Sequence, residues 1–320
     1  MVYLVTGSAG FIGFHLVQKL LQENHKVVGV DNLNSYYDPK LKKARLEILK
    51  KQPNFSFYQL DIAEFASLEK VFAENKIDKV CHLAAQAGVR YSLENPHIYE
   101  QSNMVGFLNL LELMRQYKVK DLVYASSSSV YGGIKEIPFK EEAKINQPIS
   151  LYAATKAANE LYAHVYHHLY GLNTIGLRFF TVYGPWGRPD MALFLFTKAI
   201  LENQPIKVFN QGQMKRDFTY VDDIVSGIVA ALDKVSSLGY EVFNLGCADP
   251  VNLLDFIKTI EESLGKKAKK EFLPLQPGDV PNTYADISKA QKLLGYQPKI
   301  KIKKGVERFI DWYRKYYEAW

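Results

Sequence analysis

The chain has 320 residues, of which 48% are hydrophobic and 23% charged, with a formal net charge of +6. That length allows one large domain or two joined ones with a substantial core, and the composition excludes intrinsic disorder. No run of like charge reads as a nucleic-acid arm, no apolar stretch reaches membrane-spanning length, and the opening residues lack a secretory signal. The mild positive balance suits a polyanionic small molecule. Cys81 and Cys247 stand in apolar surroundings with no pairing or zinc-ligand spacing, so both read as small buried hydrophobes in a reducing, cytoplasmic setting. The densest basic patch, 266–270, is expected in a solvated loop.

In chain order, short apolar runs at 2–5, 27–30, 55–58, 79–83, 122–125 and 174–177 predict strands. Amphipathic stretches between them predict helices over 11–21, 41–50, 68–73, 98–116 and 152–170. Strands alternating with helices imply right-handed crossovers and a parallel sheet covered on both faces, the doubly wound α/β (Rossmann) architecture. Its ligand cleft lies outside the carboxyl ends of the strands. Beyond about residue 185 Pro and Gly become frequent and strands shorten to 206–209, 217–219 and 242–244, with helices at 221–232, 253–264 and 302–316. The expected organisation is a sheet domain over 1–185, a crossing-back segment near 215–250, and a smaller substrate lobe mainly over 186–320.

Thr6-Gly7-Ser8-Ala9-Gly10-Phe11-Ile12-Gly13 follows the first strand and opens the first helix. Gly7 permits the tight turn, Gly10 lets backbone approach a pyrophosphate, and Gly13 allows close helix–sheet packing. The helix N-terminus offers N–H groups and a positive dipole end to the anion. Val30-Asp31-Asn32 ends the second strand where an acidic residue would hold the adenosine ribose hydroxyls, which favours NAD over its 2′-phosphorylated relative. Asp61-Ile62 and Leu83-Ala84-Ala85-Gln86 fall where further cofactor contacts are needed; Asp61 reads equally as a helix cap and the alanines as close packing.

Tyr152 and Lys156 are four residues apart, hence on one face of a helix, where an ammonium would lower the phenol's pKa and make it a base near neutral pH. Such a pair occurs on many helices by chance. The strand before it ends in Ser126-Ser127-Ser128-Ser129, which sets four hydroxyls on the floor of the predicted cleft; a serine-rich loop satisfying its own backbone is the plainer alternative.

The glycine turn, Asp31, Ser127, the Tyr152/Lys156 pair and Arg178-Phe179-Phe180-Thr181-Val182-Tyr183-Gly184-Pro185 together resemble the extended short-chain dehydrogenases/reductases. The likeness continues through Arg216-Asp217-Phe218-Thr219-Tyr220-Val221-Asp222-Asp223 and Gln276-Pro277-Gly278-Asp279-Val280-Pro281, and so covers nearly the whole chain. Within that family the chain looks like the UDP-glucuronate 4-epimerases.

The resemblance implies that Tyr152 takes the proton from the sugar C4 hydroxyl, Lys156 lowers its pKa and binds the nicotinamide ribose, and Ser127 hydrogen-bonds the C4 oxygen. It implies NAD contacts at Gly7, Gly10, Phe11, Ile12, Gly13, Asp31, Asn32, Asp61, Ile62, Leu83, Ala84, Ala85, Gln86, Asn103 and Phe180. The C4 hydride would pass to NAD, the ketone would turn in the pocket, and the hydride would return to its other face. Related dehydratases carry Asp-Glu after the residue matching Ser127, and UDP-xylose synthases carry Glu at the position of Ser129. UDP-galactose epimerases usually have Asn in place of Thr181 and Arg in place of Gln276. Hydroxyls at Ser128, Ser129 and Thr181 would instead meet a C5 carboxylate. Arg90, Arg188 and Arg216, with Asp279, are candidates for diphosphate or carboxylate contacts, although a scaffolding role suits any single one.

Three readings stand: a UDP-glucuronate 4-epimerase, a 4-epimerase of UDP-glucose/galactose or a UDP-N-acetylhexosamine, and a non-catalytic NAD-binding protein. The intact Ser127, Tyr152 and Lys156 set argues against the third. Apolar residues on helices 98–116 and 152–170 would pair across a two-fold axis in a homodimer, as in family members; burial within one subunit explains most of them equally well.

Overall fold

The computed structural model describes residues 1–276 and 278–318. Its centre is a seven-stranded, all-parallel sheet of β1 (Val2–Thr6), β2 (Lys26–Asp31), β3 (Phe55–Gln59), β4 (Lys79–His82), β5 (Asp121–Ser127), β6 (Asn173–Phe179) and β7 (Tyr240–Leu245), in the order β7-β6-β5-β4-β1-β2-β3. The doubly wound fold expected from the sequence is present. Because helices cover both faces, neighbouring residues on a strand serve different cores. Tyr3, Val27, Cys81 and Val123 join one apolar cluster, while Leu4, Val28, Val80 and Leu122 join the other.

β1 lies between β2 and β4, so crossovers leave it in opposite directions and a crevice opens outside the carboxyl ends of β1 and β4. The remaining chain builds two small parallel pairs, Thr181–Tyr183 with Phe218–Tyr220 and Pro205–Phe209 with Lys269–Leu273, backed by helices Ala192–Leu201, Leu253–Leu264 and Ile302–Tyr317. No helix among the described residues is long and apolar enough to cross a membrane.

Three expectations need correction. The single helix over 98–116 is interrupted: Pro96–Tyr99 is α-helical, Glu100–Val105 forms a π-helical turn, and Gly106–Gln116 resumes the α-helix. The wide turn carries the buried Asn103, whose amide bonds the backbone of Gln86 and the hydroxyl of Thr155 instead of facing solvent. The basic patch at 266–270 is no free loop, because Lys269 and Lys270 begin a strand and Lys267 and Lys270 both pair with the buried Glu261. Cys247 is half-buried, unlike Cys81, because it lies in the loop after β7 and not within a central strand; its amide bonds Asp217 at 2.6 Å.

Candidate active site

The turn after β1 is closed by backbone. The amides of Gly7 and Ser8 donate to the Val30 carbonyl at 2.7 and 3.2 Å, and Gly10 donates to the Gly7 carbonyl at 2.9 Å. Gly7 takes a positive φ of 72°, and a Cβ there would lie 2.8 Å from the Ala84 nitrogen. A Cβ on Gly13 would fall 2.0 Å from the Gly7 oxygen. Helix Phe11–Gln22 therefore starts hard against the loop, with Gly10 at its cap and no side chain bonding its first amides.

At the end of β2, Asp31 is buried and accepts from the amides of Ala9 (3.2 Å) and Leu33 (2.8 Å). Burial pushes its carboxyl up, and Lys42 is the strongest group pulling it back down. Lys42 itself is engaged with Asn34, and Arg45 with Ala9, Tyr37 and Trp186. Asn32 donates to Asp61 at 2.9 Å, and Asp61 also caps Ala63. The Ala84 amide bonds Thr6, and buried Ile62 packs under Gly106. Asn103 holds both its amide hydrogens and its oxygen inside the protein, so it fixes the Leu83–Gln86 segment to helix Leu151–Tyr170 and keeps no donor for a ligand. Phe180 is buried with its ring 6.4 Å from those of Tyr131 and Phe139.

These features fit a dinucleotide: a cradle that no Cβ can enter, an uncapped helix start, and a fixed carboxylate beyond it. The cations nearest Asp31 are already committed, which suits a ribose diol better than an added phosphate.

β5 ends in Ser127, whose hydroxyl donates to Ser129 Oγ at 3.1 Å and caps the short helical turn that follows. Among the described residues, Ser128 and Thr181 make no side-chain hydrogen bond, so their hydroxyls are uncommitted. Helix Leu151–Tyr170 is capped by Ser150, which accepts from Ala153 at 3.1 Å, and it presents Tyr152 and Lys156 toward β5. Lys156 is buried and donates to the Ala125 carbonyl at 2.8 Å. Burial pulls its ammonium down to about 8, against the upward pull of Glu160. The Tyr152 ring stands edge-on to Tyr99 at 6.1 Å. Burial pushes its phenol up, while the Ser127 hydroxyl and the Arg188 guanidinium pull it down. The Lys156 ammonium is turned to a strand carbonyl, and the Arg188 guanidinium is among the groups that pull the phenol down.

The candidate arginines separate into two places. Arg90 pairs with Asp279 at 2.8 Å and lies over the Phe209 ring at 4.7 Å. Arg216 feels the charges of both, and donates to the Pro281 carbonyl at 2.9 Å. Arg188 stands apart, donating from Nε to Asp190 at 3.0 Å, while Tyr36 donates to the same carboxylate at 3.1 Å. Among the described residues the buried side-chain oxygen of Gln276 meets no hydrogen-bond donor; Pro277 of that motif lies outside them. Asp190 and Tyr36 are site residues that sequence reasoning missed. Tyr36 reaches its place only because Gly88 has no side chain, since a Cβ there would lie 2.7 Å from the phenol oxygen.

Residues 3–246 match the NAD dependent epimerase/dehydratase family. An uncharacterized protein of Methanocaldococcus jannaschii is 56% identical over 97% of this chain and 95% of its own length. The UDP-glucuronate 4-epimerase of Thermodesulfobacterium geofontis is 52% identical over the same shares of the two chains. The crystal structure of UDP-glucuronic acid 4-epimerase from Bacillus cereus, in complex with UDP-glucuronic acid and NAD, is 39% identical, with a TM-score of 0.94 over 99% of this chain and 100% of that one.

Proposed function

Because the chain belongs to the NAD dependent epimerase/dehydratase family, we propose that it epimerises UDP-glucuronate at C4, with NAD as cofactor, to give UDP-galacturonate. The observation that carries this reading is the meeting of Ser127, Tyr152 and Lys156 at the end of β5, beside the glycine cradle.

Gly7, Gly10, Phe11, Ile12 and Gly13 would hold the cofactor's pyrophosphate, and Asp31 with Asn32 its adenosine ribose. Bound there, NAD would supply the acceptor and donor of the C4 hydride and a positive ring near the phenol. Tyr152 takes the proton of the C4 hydroxyl and returns it, and Ser127 hydrogen-bonds the same oxygen. Lys156, fixed at Ala125, keeps a positive charge on this side of the sugar. Arg90 and Arg216 face the diphosphate, with Asp279 orienting Arg90. Ser128, Ser129 and Thr181 hold the C5 carboxylate. That grip has a chemical purpose: the 4-keto sugar is a β-keto acid, which loses carbon dioxide when the breaking bond stands perpendicular to the carbonyl plane.

The reading extends to a cytoplasmic homodimer. Leu161, Val165 and Leu169 recur every four residues along helix Leu151–Tyr170 and are 67%, 46% and 59% exposed. Leu108 on the adjacent helix is also exposed, and an apolar stripe of this kind calls for a partner. The test of function is to incubate the purified protein separately with UDP-glucuronate, UDP-glucose and UDP-N-acetylglucosamine and resolve the products. UDP-galacturonate is the expected main product. Faster turnover of either neutral sugar would move the substrate assignment, and turnover of none would leave an NAD-binding protein.

A further inference from the structure

Behind the reacting groups stands a buried cluster that the mechanism above does not use. Glu160 lies one helical turn beyond Lys156 on the same face of helix Leu151–Tyr170. Arg178 on β6 grips its carboxylate with a fork, Nε to Oε1 at 2.9 Å and a terminal nitrogen to Oε2 at 2.7 Å. Ser126, one residue before Ser127, donates to Oε1 at 2.5 Å. Both oxygens of Glu160 are thus engaged from β5 and β6, and the carboxylate acts on Lys156 through space.

Lys156 needs such an anion. It is buried and, among the described residues, has one acceptor, the Ala125 carbonyl; an ammonium in that setting sheds its proton readily. The titratable groups whose charges couple to it are Glu160 on its own helix and His82 on β4. His82 bonds Thr6 at 2.8 Å, and burial pulls it down to about 3, so it is neutral. Glu160 is the negative charge in that set. A buried ion pair contributes little net stability compared with an apolar pair of the same shape, so packing alone does not account for it.

We infer that Glu160, locked by Arg178 and Ser126, is a positioning residue whose charge keeps Lys156 protonated during the reaction. This rests on the assignment of Tyr152 and Lys156 made above. Two readouts test it. In protein labelled with 13C at the lysine ε-carbons, with Lys156→Arg used for assignment, the Lys156 titration midpoint falls by about one unit in Glu160→Gln, a tenfold change in protonation at fixed pH. The midpoint stays in place in Ser126→Ala, which removes a hydrogen bond but no charge. In turnover of UDP-glucuronate, the deficit of Glu160→Gln is near zero at acidic pH and grows to about tenfold above the lysine midpoint. A deficit uniform across pH, or an unmoved midpoint, overturns the inference. Should Glu160→Gln not fold, Glu160→Asp carries the test, with a smaller displacement in the same direction expected and none overturning it. Wild-type protein that leaves UDP-glucuronate unchanged would sink the substrate assignment, while the NMR midpoint would still decide the role of Glu160.

Discussion

The Arg188 guanidinium is held by the Asp190 carboxylate, which accepts from its Nε and from the Tyr36 hydroxyl. A guanidinium fixed in this way can act on Tyr152 from a constant position, whereas a free one would sample many rotamers. Asp190→Asn keeps the shape and removes the charge that fixes the guanidinium. Steady-state kinetics on UDP-glucuronate should show about a tenfold loss in kcat/KM, equivalent to ~1.4 kcal/mol of transition-state binding. Thermal stability should change little, because the pair is partly exposed. Unaltered kcat/KM in Asp190→Asn would detach this carboxylate from catalysis.

Among the elements, the loop from β1 to its helix tolerates the least change. Gly13→Ala would place a methyl group 2.0 Å from the Gly7 oxygen, so loop and helix must part. The expected cost is at least about 1–3 kcal/mol of stability, with loss of bound NAD. Calorimetry and the cofactor content of the purified variant measure the two effects, and a variant that keeps both wild-type stability and NAD would contradict the cradle. This loop was readable from sequence because its three glycines, its strand and its helix are contiguous, and the Tyr152–Lys156 pair was readable for the same reason. The π-helical turn at Glu100–Val105 was not, since one extra residue in a turn leaves the apolar pattern on either side intact. Tyr36 and Asp190 were hidden by distance: they lie 154 positions apart, and no local spacing joins a tyrosine in one loop to an aspartate in another. The orientation of Lys156 was equally hidden, because helical spacing gives its face but not the strand carbonyl that captures it. The Lys269–Leu273 strand escaped notice because its partner, Pro205–Phe209, makes it a strand where charge pattern suggested a loop.

For the whole molecule, the stripe of Leu161, Val165 and Leu169 faces away from the core that the other side of its helix builds. Replacing Leu161 and Leu169 together by Lys should yield a folded monomer by sedimentation, with the near-ultraviolet circular dichroism of the wild type. Wild-type protein that already sediments as a monomer would remove the dimer from the proposal. The order of the sheet carries a different consequence. β7 is the last strand of the central sheet to leave the ribosome, and it pairs with β6 from Thr174 beside Tyr240 to Phe179 beside Leu245. Until it arrives, a nascent chain holds out a bare ribbon of amides and carbonyls flanked by apolar side chains, a template for any identical chain nearby. Synthesis halted after β6 and before β7 therefore leaves a product prone to stick to its own kind, however complete its cofactor cradle.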